Sequence, residues 1–272
     1  MLSVPLYAHF AADPFYNMAC DDWLLQRVAS HPGAIVLRLY SWQVGTITFG
    51  FNQRAETAYA ADHLDGTPVI RRITGGRALY HDRSELTYAI ALNTENLAVP
   101  ALAGSVSATS HAISEWLAAF VRASGTDVCF VKRSSTENAR PGFFHKAPCF
   151  ASQARHELMA GARKVVASAQ RRIGGCWLQH GSIKLAGIAA HPALDGVPVA
   201  EPDRLPPLTA TALADYRDLL ATLAAERFGL EVVVEDLTEA DDRVVRAAAA
   251  ALEKNPLARR DPIKQSQPTG SL

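Results

Sequence analysis

Cysteine is scarce in this chain. Four occur in 272 residues, at Cys20, Cys129, Cys149 and Cys176, with no Cys-x-x-Cys pair and no histidine pattern beside them. That spacing argues against a zinc site and points to free thiols in a reducing compartment, so a cytoplasmic location is expected. Net charge is missing as well: Lys+Arg and Asp+Glu number 27 each. Nothing electrostatic therefore favours nucleic acid or an anionic membrane as partner. No apolar run is long enough to span a bilayer. The first residues lack a basic segment followed by an apolar core, and Asp13 interrupts them, so no secretory signal is expected. No internal repeat is found. What is present is 49% hydrophobic residues, enough to bury the core of one large domain.

Local signals organise the chain. Asp13-Pro14 reads as an N-cap followed by proline in the first turn, opening a helix through Met18, Trp23 and Leu25. Short β-rich runs follow at 34–40, 46–51, 67–73 and 86–92. Ile113, Leu117, Phe120 and Val121 recur at helical spacing and predict a helix over 107–124 that ends before Gly125. Residues 127–132 read as a strand. Residues 134–148 carry Ser, Asn, Pro, Gly and Arg with little periodicity and read as a loop. Strands are expected at 164–169 and 177–185. A helix with Leu213, Tyr216, Leu220 and Leu223 stops before Gly229, and a last helix starts near Thr238 with Val244, Val245 and Leu252. Hairpins with helices between them give an α+β class. Residues 1–253 read as one domain, and the polar, proline-containing segment 254–272 as a frayed tail.

Three features could carry chemistry. In Arg71-Arg72-Ile73-Thr74-Gly75-Gly76-Arg77-Ala78, two glycines permit positive φ and close approach of backbone to a ligand. Arg71, Arg72 and Arg77 offer planar donors for a carboxylate, a phosphate or the protein's own acids. A hairpin corner with surface ion pairs fits the same residues. Cys149 follows Pro148 at the end of the polar loop, with His145 and Lys146 nearby. Cations lower a thiol pKa, although a lone cysteine is more often a small buried hydrophobe. Cys20, Cys129 and Cys176 sit in helix or strand patterns and read as buried. Lys164 opens the apolar run Val165-Val166-Ala167, where a solvated strand would alternate; the ordinary reading of a lysine is a surface charge.

The same residues resemble a family. Arg71–Asp82 with Glu85-Leu86-Thr87-Tyr88 is similar to the signature loop of the biotin/lipoate protein ligase superfamily, and within it to the cysteine-dependent octanoyltransferases. Asn17-Met18-Ala19-Cys20-Asp21-Asp22, Leu39-Tyr40-Ser41-Trp42, Gly50-Phe51-Asn52-Gln53, Cys149-Phe150, Arg163-Lys164-Val165, Ser168-Ala169-Gln170 and Leu178-Gln179-His180-Gly181-Ser182 follow in family order. The resemblance spans about residues 13 to 190 and implies a mixed, largely antiparallel central sheet with flanking helices. It implies Cys149 as the nucleophile that becomes S-acylated, and Lys164 as the cation holding the acyl carbonyl. It assigns the substrate head to Arg72, Thr74, Gly75, Gly76, Arg77 and Ala78, with His81, Gln179, His180 and Gly181 around it. His81 and His180 fit hydrogen bonding that shapes the loops as well as proton transfer. Tyr88 fits contact with the chain or packing, and a tunnel for an eight-carbon chain would need residues such as Leu79, Val166 and Ile183, which ordinary core packing fits equally well.

The implied activity moves octanoyl from acyl carrier protein to a lysine of a lipoyl domain or of the glycine-cleavage H protein, with no cofactor. An ATP- and Mg-dependent lipoate or octanoate ligase is the alternative, and a non-catalytic acyl- or carrier-binding protein a third. The third is motivated by a departure: Ala162 and Ala167 stand where the family pattern carries glycine. If the second position needs space, the Ala167 methyl alters rate or chain-length preference.

Overall fold

The computed structural model describes residues 1–130, 158–195, 206–261 and 263. Cys149 and the polar segment before it lie outside these residues. Strands β1 (Leu2–Ala12), β2 (Ile35–Trp42), β3 (Thr46–Phe49), β4 (Val69–Arg71), β5 (Leu79–His81), β6 (Leu86–Asn93), β7 (Cys129–Phe130), β8 (Leu158–Ala160), β9 (Arg163–Ile173), β10 (Cys176–Ile183) and β11 (Leu230–Glu235) form two sheets. The larger has the order β11-β1-β2-β6-β10-β9-β8-β7, and the smaller β4-β3-β5. Pairing is parallel at β11-β1-β2 and antiparallel from β2 to β7. The mixed, largely antiparallel sheet expected from the family resemblance is therefore present.

Helices cover both faces of the large sheet. Val106–Ala123 and Ala210–Phe228 pack Trp116, Phe120, Leu220 and Phe228 against Leu37, Ile90 and Trp177 on one side. Pro14–Ala29 and Glu239–Lys254 pack Met18, Leu24, Val245 and Leu252 against Val36, Ala89 and Leu178 on the other. The local signals are satisfied as read. Asp13 Oδ1 accepts from the backbone N–H groups of Phe15 and Tyr16, and Thr238 Oγ1 accepts from that of Asp241. Gly229 ends its helix at φ +66°, the left-handed conformation glycine adopts without steric cost.

Some elements differ from the sequence expectation. β1 and β11 are not among the expected strands. Leu2, Val4, Leu6 and Phe10 alternate onto the core face of β1, as do Leu230 and Val232 in β11, and the two strands pair with each other while β1 also pairs with β2. Val166 and Ile183 pair across β9 and β10 and belong to the core beneath Trp116, not to a tunnel. Cys20 and Cys176 are buried, but Cys129 is exposed, on a two-residue strand that pairs with β8 at the sheet edge among the described residues. Part of the segment after Lys254 is held on the protein. Arg71 donates from its backbone N–H to Pro256 O at 2.8 Å and from Nε to Leu257 O at 2.7 Å. Arg260 Nε in turn reaches Asp22 Oδ2 at 2.6 Å.

Candidate active site

A buried arginine organises the sheet face that faces the first helix. In Ile35–Trp42 every residue is buried, including Arg38. A guanidinium in such a place requires a full set of acceptors. The helix provides most of them from one face at i and i+4, and His9 Nδ1 of β1 accepts from Arg38 Nε at 3.1 Å. Arg38 donates to Asn17 O at 2.9 Å, to Asn17 Oδ1 at 2.7 Å and to Asp21 Oδ1 at 2.9 Å. Asp21 Oδ2 accepts from Tyr40 Oη at 2.9 Å and from His180 Nδ1 at 2.7 Å. Burial by itself would raise the Asp21 pKa; the contact with His180 and the charge of Arg38 outweigh it and hold the carboxyl below its ordinary range. A carboxylate only accepts, so His180 Nδ1 carries a proton, and His180 Nε2 meets Thr74 Oγ1 at 2.6 Å. The chain Asp21–His180–Thr74 thus ends inside the glycine loop.

A second chain runs beside it. His81 Nδ1 lies 2.7 Å from Glu85 Oε1, and His81 Nε2 lies 2.8 Å from Thr48 Oγ1. Burial lowers the His81 pKa despite the neighbouring carboxylate, which favours the neutral ring. Nδ1–H then donates to Glu85 and Nε2 accepts from Thr48. Glu85 also pairs with Lys184 at 2.5 Å, and Lys184 with Asp82 at 2.7 Å. Burial pushes the Glu85 pKa up, but His81 and Lys184 together bring it down to about 2.

The glycine loop lies between these two chains. Arg72 donates to Gly75 O at 2.7 Å, to Arg77 O at 2.8 Å and to Thr48 Oγ1 at 3.2 Å. Arg71 donates to the carbonyls of Phe51 at 2.9 Å and Gln53 at 2.6 Å. Both arginines thus brace backbone carbonyls, and Arg72 also lines the cavity. Gly76 takes φ +90°. A Cβ on Gly75 would meet nothing within 4 Å, so its backbone faces open space.

A cavity opens around this loop. Its wall includes Arg72, Gly76, His81, His180 and Gly181 from the sequence-derived set, and Leu79 from the expected tunnel. Thr74 supports the wall through His180, while Gly75, Arg77 and Ala78 belong to the loop beside it. Gln179 points to the opposite sheet face, where it bonds Tyr88 Oη at 2.8 Å and Ser110 Oγ at 3.2 Å. Tyr88 Oη also meets Ser168 Oγ at 2.7 Å. Lys164 is buried on β9, three residues before Ala167, which lines the cavity. Cys20 is fully buried, and burial raises its thiol pKa to about 12, which disfavours the thiolate a nucleophile needs. The two family-glycine positions part company here. Gly161 takes the left-handed turn at φ +58°, which leaves Ala162 without conformational demand, whereas the Ala167 methyl faces the cavity.

Asp21, Thr48, Glu85 and Lys184 were not singled out from the sequence. A signal existed for one of them, Asp21: Arg38 inside an apolar strand demands a buried acid, and Asn17 with Asp21 at i and i+4 forms one helical face. No local signal paired Thr48 with His81 or Lys184 with Glu85. Among the described residues no group of three or more His, Cys, Asp or Glu could hold a metal ion. No described helix is long and apolar enough to cross a membrane.

This arrangement places the protein among known structures. The fold matches lipoate-protein ligase A bound with ATP, at TM-score 0.65 and 18% identity over 92% of this chain and 95% of that one. It also matches the bipartite lipoate protein ligase of Thermoplasma acidophilum, at TM-score 0.61 and 17% identity over 92% of both chains. The chain belongs to the lipoyl protein ligase A/B catalytic domain family, which matches residues 13–190. Among curated proteins it is 37% identical over 174 residues to octanoyltransferase LipM of Kyrpidia tusciae, covering 62% of this chain and 61% of that protein. It is 35% identical over 177 residues to octanoyltransferase LipM of Bacillus subtilis, covering 64% and 62%. The match thus spans about three fifths of these relatives' length.

Proposed function

We propose that this chain is an octanoyltransferase of lipoate biosynthesis. Octanoyl arrives as a thioester on acyl carrier protein and leaves as an amide on a lysine of a lipoyl domain or of the glycine-cleavage H protein. The observation that carries the reading is the cavity beside a braced glycine loop, in a chain similar to enzymes named octanoyltransferase. A thioester is already activated, so the reaction needs a nucleophile, stabilisation of the carbonyl oxygen and docking of two carriers, without ATP.

In the proposed mechanism the Cys149 thiolate attacks the thioester carbonyl carbon, and the C=O electron pair moves to oxygen. Collapse of that tetrahedral species re-forms the carbonyl and expels the carrier's thiolate. The acceptor lysine then attacks as a neutral amine; the carbon–nitrogen bond forms, the carbon–sulfur bond to Cys149 breaks, and the amine proton passes to the departing sulfur. Lys164 supplies positive charge toward the developing oxyanion and favours the Cys149 thiolate. The glycine loop holds the head of the substrate.

Intact-protein mass after mixing with octanoyl-acyl carrier protein, in the absence of ATP, tests this directly. The expected result is the gain of one octanoyl group, absent in Cys149→Ala and discharged by a lipoyl-domain acceptor. No adduct until ATP, Mg and free octanoate are added would favour the ligase reading. Binding of the donor without transfer under either condition would favour the non-catalytic one.

A further inference from the structure

Among the described residues, polar side chains around the cavity are engaged with protein partners, with one exception. Thr48 bonds His81 and Arg72, Tyr40 bonds Asp21, and His180 bonds Asp21 and Thr74. Thr87 donates to Glu85 and accepts from Trp42 Nε1. Ser182 is 1% exposed and lines the cavity, yet its Oγ has no hydrogen-bond partner among the described residues. It lies in β10 between Thr87 of β6 and Ala167 of β9, in direct register with both. Residues opposite one another in a sheet share a face, so these three form one row across the cavity wall. The hydroxyl of Thr87 is already used, and the Ala167 methyl offers nothing to bond.

A buried hydroxyl left unpaired is destabilising, and selection retains such a group where a ligand completes it. The chemistry of the ligand narrows what Ser182 can meet. An octanoyl chain carries no polar atom beyond its carbonyl oxygen, so a hydroxyl in the wall of an acyl cavity has that oxygen as its acceptor. We infer that Ser182 is a further catalytic residue, whose Oγ–H donates to the acyl carbonyl oxygen and strengthens that bond as negative charge develops there during transfer. The inference rests on the octanoyltransferase reading of the cavity. The oxygen gains the C=O electron pair when the nucleophile adds and returns it when the leaving thiolate departs. Ser182 keeps its proton throughout.

Single-turnover acyl transfer from octanoyl-acyl carrier protein, read together with thermal melting of the unliganded chain, tests the assignment in wild type, Ser182→Ala and Ser182→Thr. For Ser182→Ala the expected result is a rate lowered about tenfold to a hundredfold, since oxyanion donors act in the transition state. Its KM should change little and its melting temperature should be equal or higher. Ser182→Thr keeps a hydroxyl and should recover part of the rate. An active wild type matched within twofold by Ser182→Ala would overturn the inference alone. A clear drop in melting temperature for Ser182→Ala would also overturn it, by showing a structural partner for the hydroxyl. A wild type that neither transfers octanoyl nor is stabilised by the donor would overturn the functional reading, and the inference with it.

Discussion

His180 and Asp21 are 159 residues apart in sequence and meet at 2.7 Å, with Asp21 held from its other oxygen by Arg38. The contact joins the first helix to strand β10 and, through Thr74, to the glycine loop. Asp21→Asn removes the charge facing a fully buried guanidinium. Breaking one partner out of such a pair costs roughly 3–5 kcal/mol. Urea denaturation should show that loss, and a stability unchanged within error would mean that Asn17 and His9 suffice for Arg38.

Glu85 gives the protein a defined acid limb. Its carboxyl titrates near 4.5 in an unfolded chain and near 2 when folded. A depressed carboxylate contributes stability that is fully present above the unfolded value and is lost as pH falls through the folded one. The full contribution is roughly 3 kcal/mol, from about 1.4 kcal/mol for each pH unit. Stability measured from pH 7 down to pH 2 should show wild type exceeding Glu85→Gln by about this amount at neutral pH. The gap should close between about pH 4.5 and 2. A gap independent of pH would mean that the Glu85 charge is not its source.

Gly50 and Gly75 should respond differently to alanine. A Cβ at Gly50 would overlap the Gly76 carbonyl oxygen, so Gly50→Ala should displace the glycine loop and lower the melting temperature. A Cβ at Gly75 meets nothing in the protein. Gly75→Ala should therefore melt like wild type while losing at least tenfold in transfer rate, because the methyl occupies space the substrate needs. Full activity of Gly75→Ala would remove that loop position from the substrate path.

Ala167 narrows the cavity where the family pattern carries glycine. Ala167→Gly opens space at the level of Ser182 and should raise the transfer rate or admit longer acyl chains. Against that, glycine within a strand costs roughly 0.5–1 kcal/mol of stability. Rates with octanoyl, decanoyl and dodecanoyl donors decide the point; an identical chain-length profile would show that the methyl does not touch the acyl group.

Much of the framework was legible before any coordinates. Asp13-Pro14, Gly125, Gly229 and Thr238 bounded helices because caps and breakers act within a few residues of themselves. The ordered motifs from Asn17 to Ser182 placed the chain in its family for a similar reason: they name residue types at fixed intervals. Cys149 and Lys164 were proposed for catalysis on that basis, and Cys149 lies outside the described residues.

Tertiary structure alone decided what those residues touch. Arg71 and Arg72 read equally well as anion binders or surface ion pairs, and they brace carbonyls of the glycine loop and its neighbour. Gln179 and His180 are adjacent in one motif, yet strand alternation sends them to opposite sheet faces. Asp21 with His180, Thr48 with His81, and the unpaired hydroxyl of Ser182 leave no trace in local periodicity. A hydrogen bond depends on which atoms are brought within 3 Å after folding, and across 159 residues only the packed sheet and helices determine that.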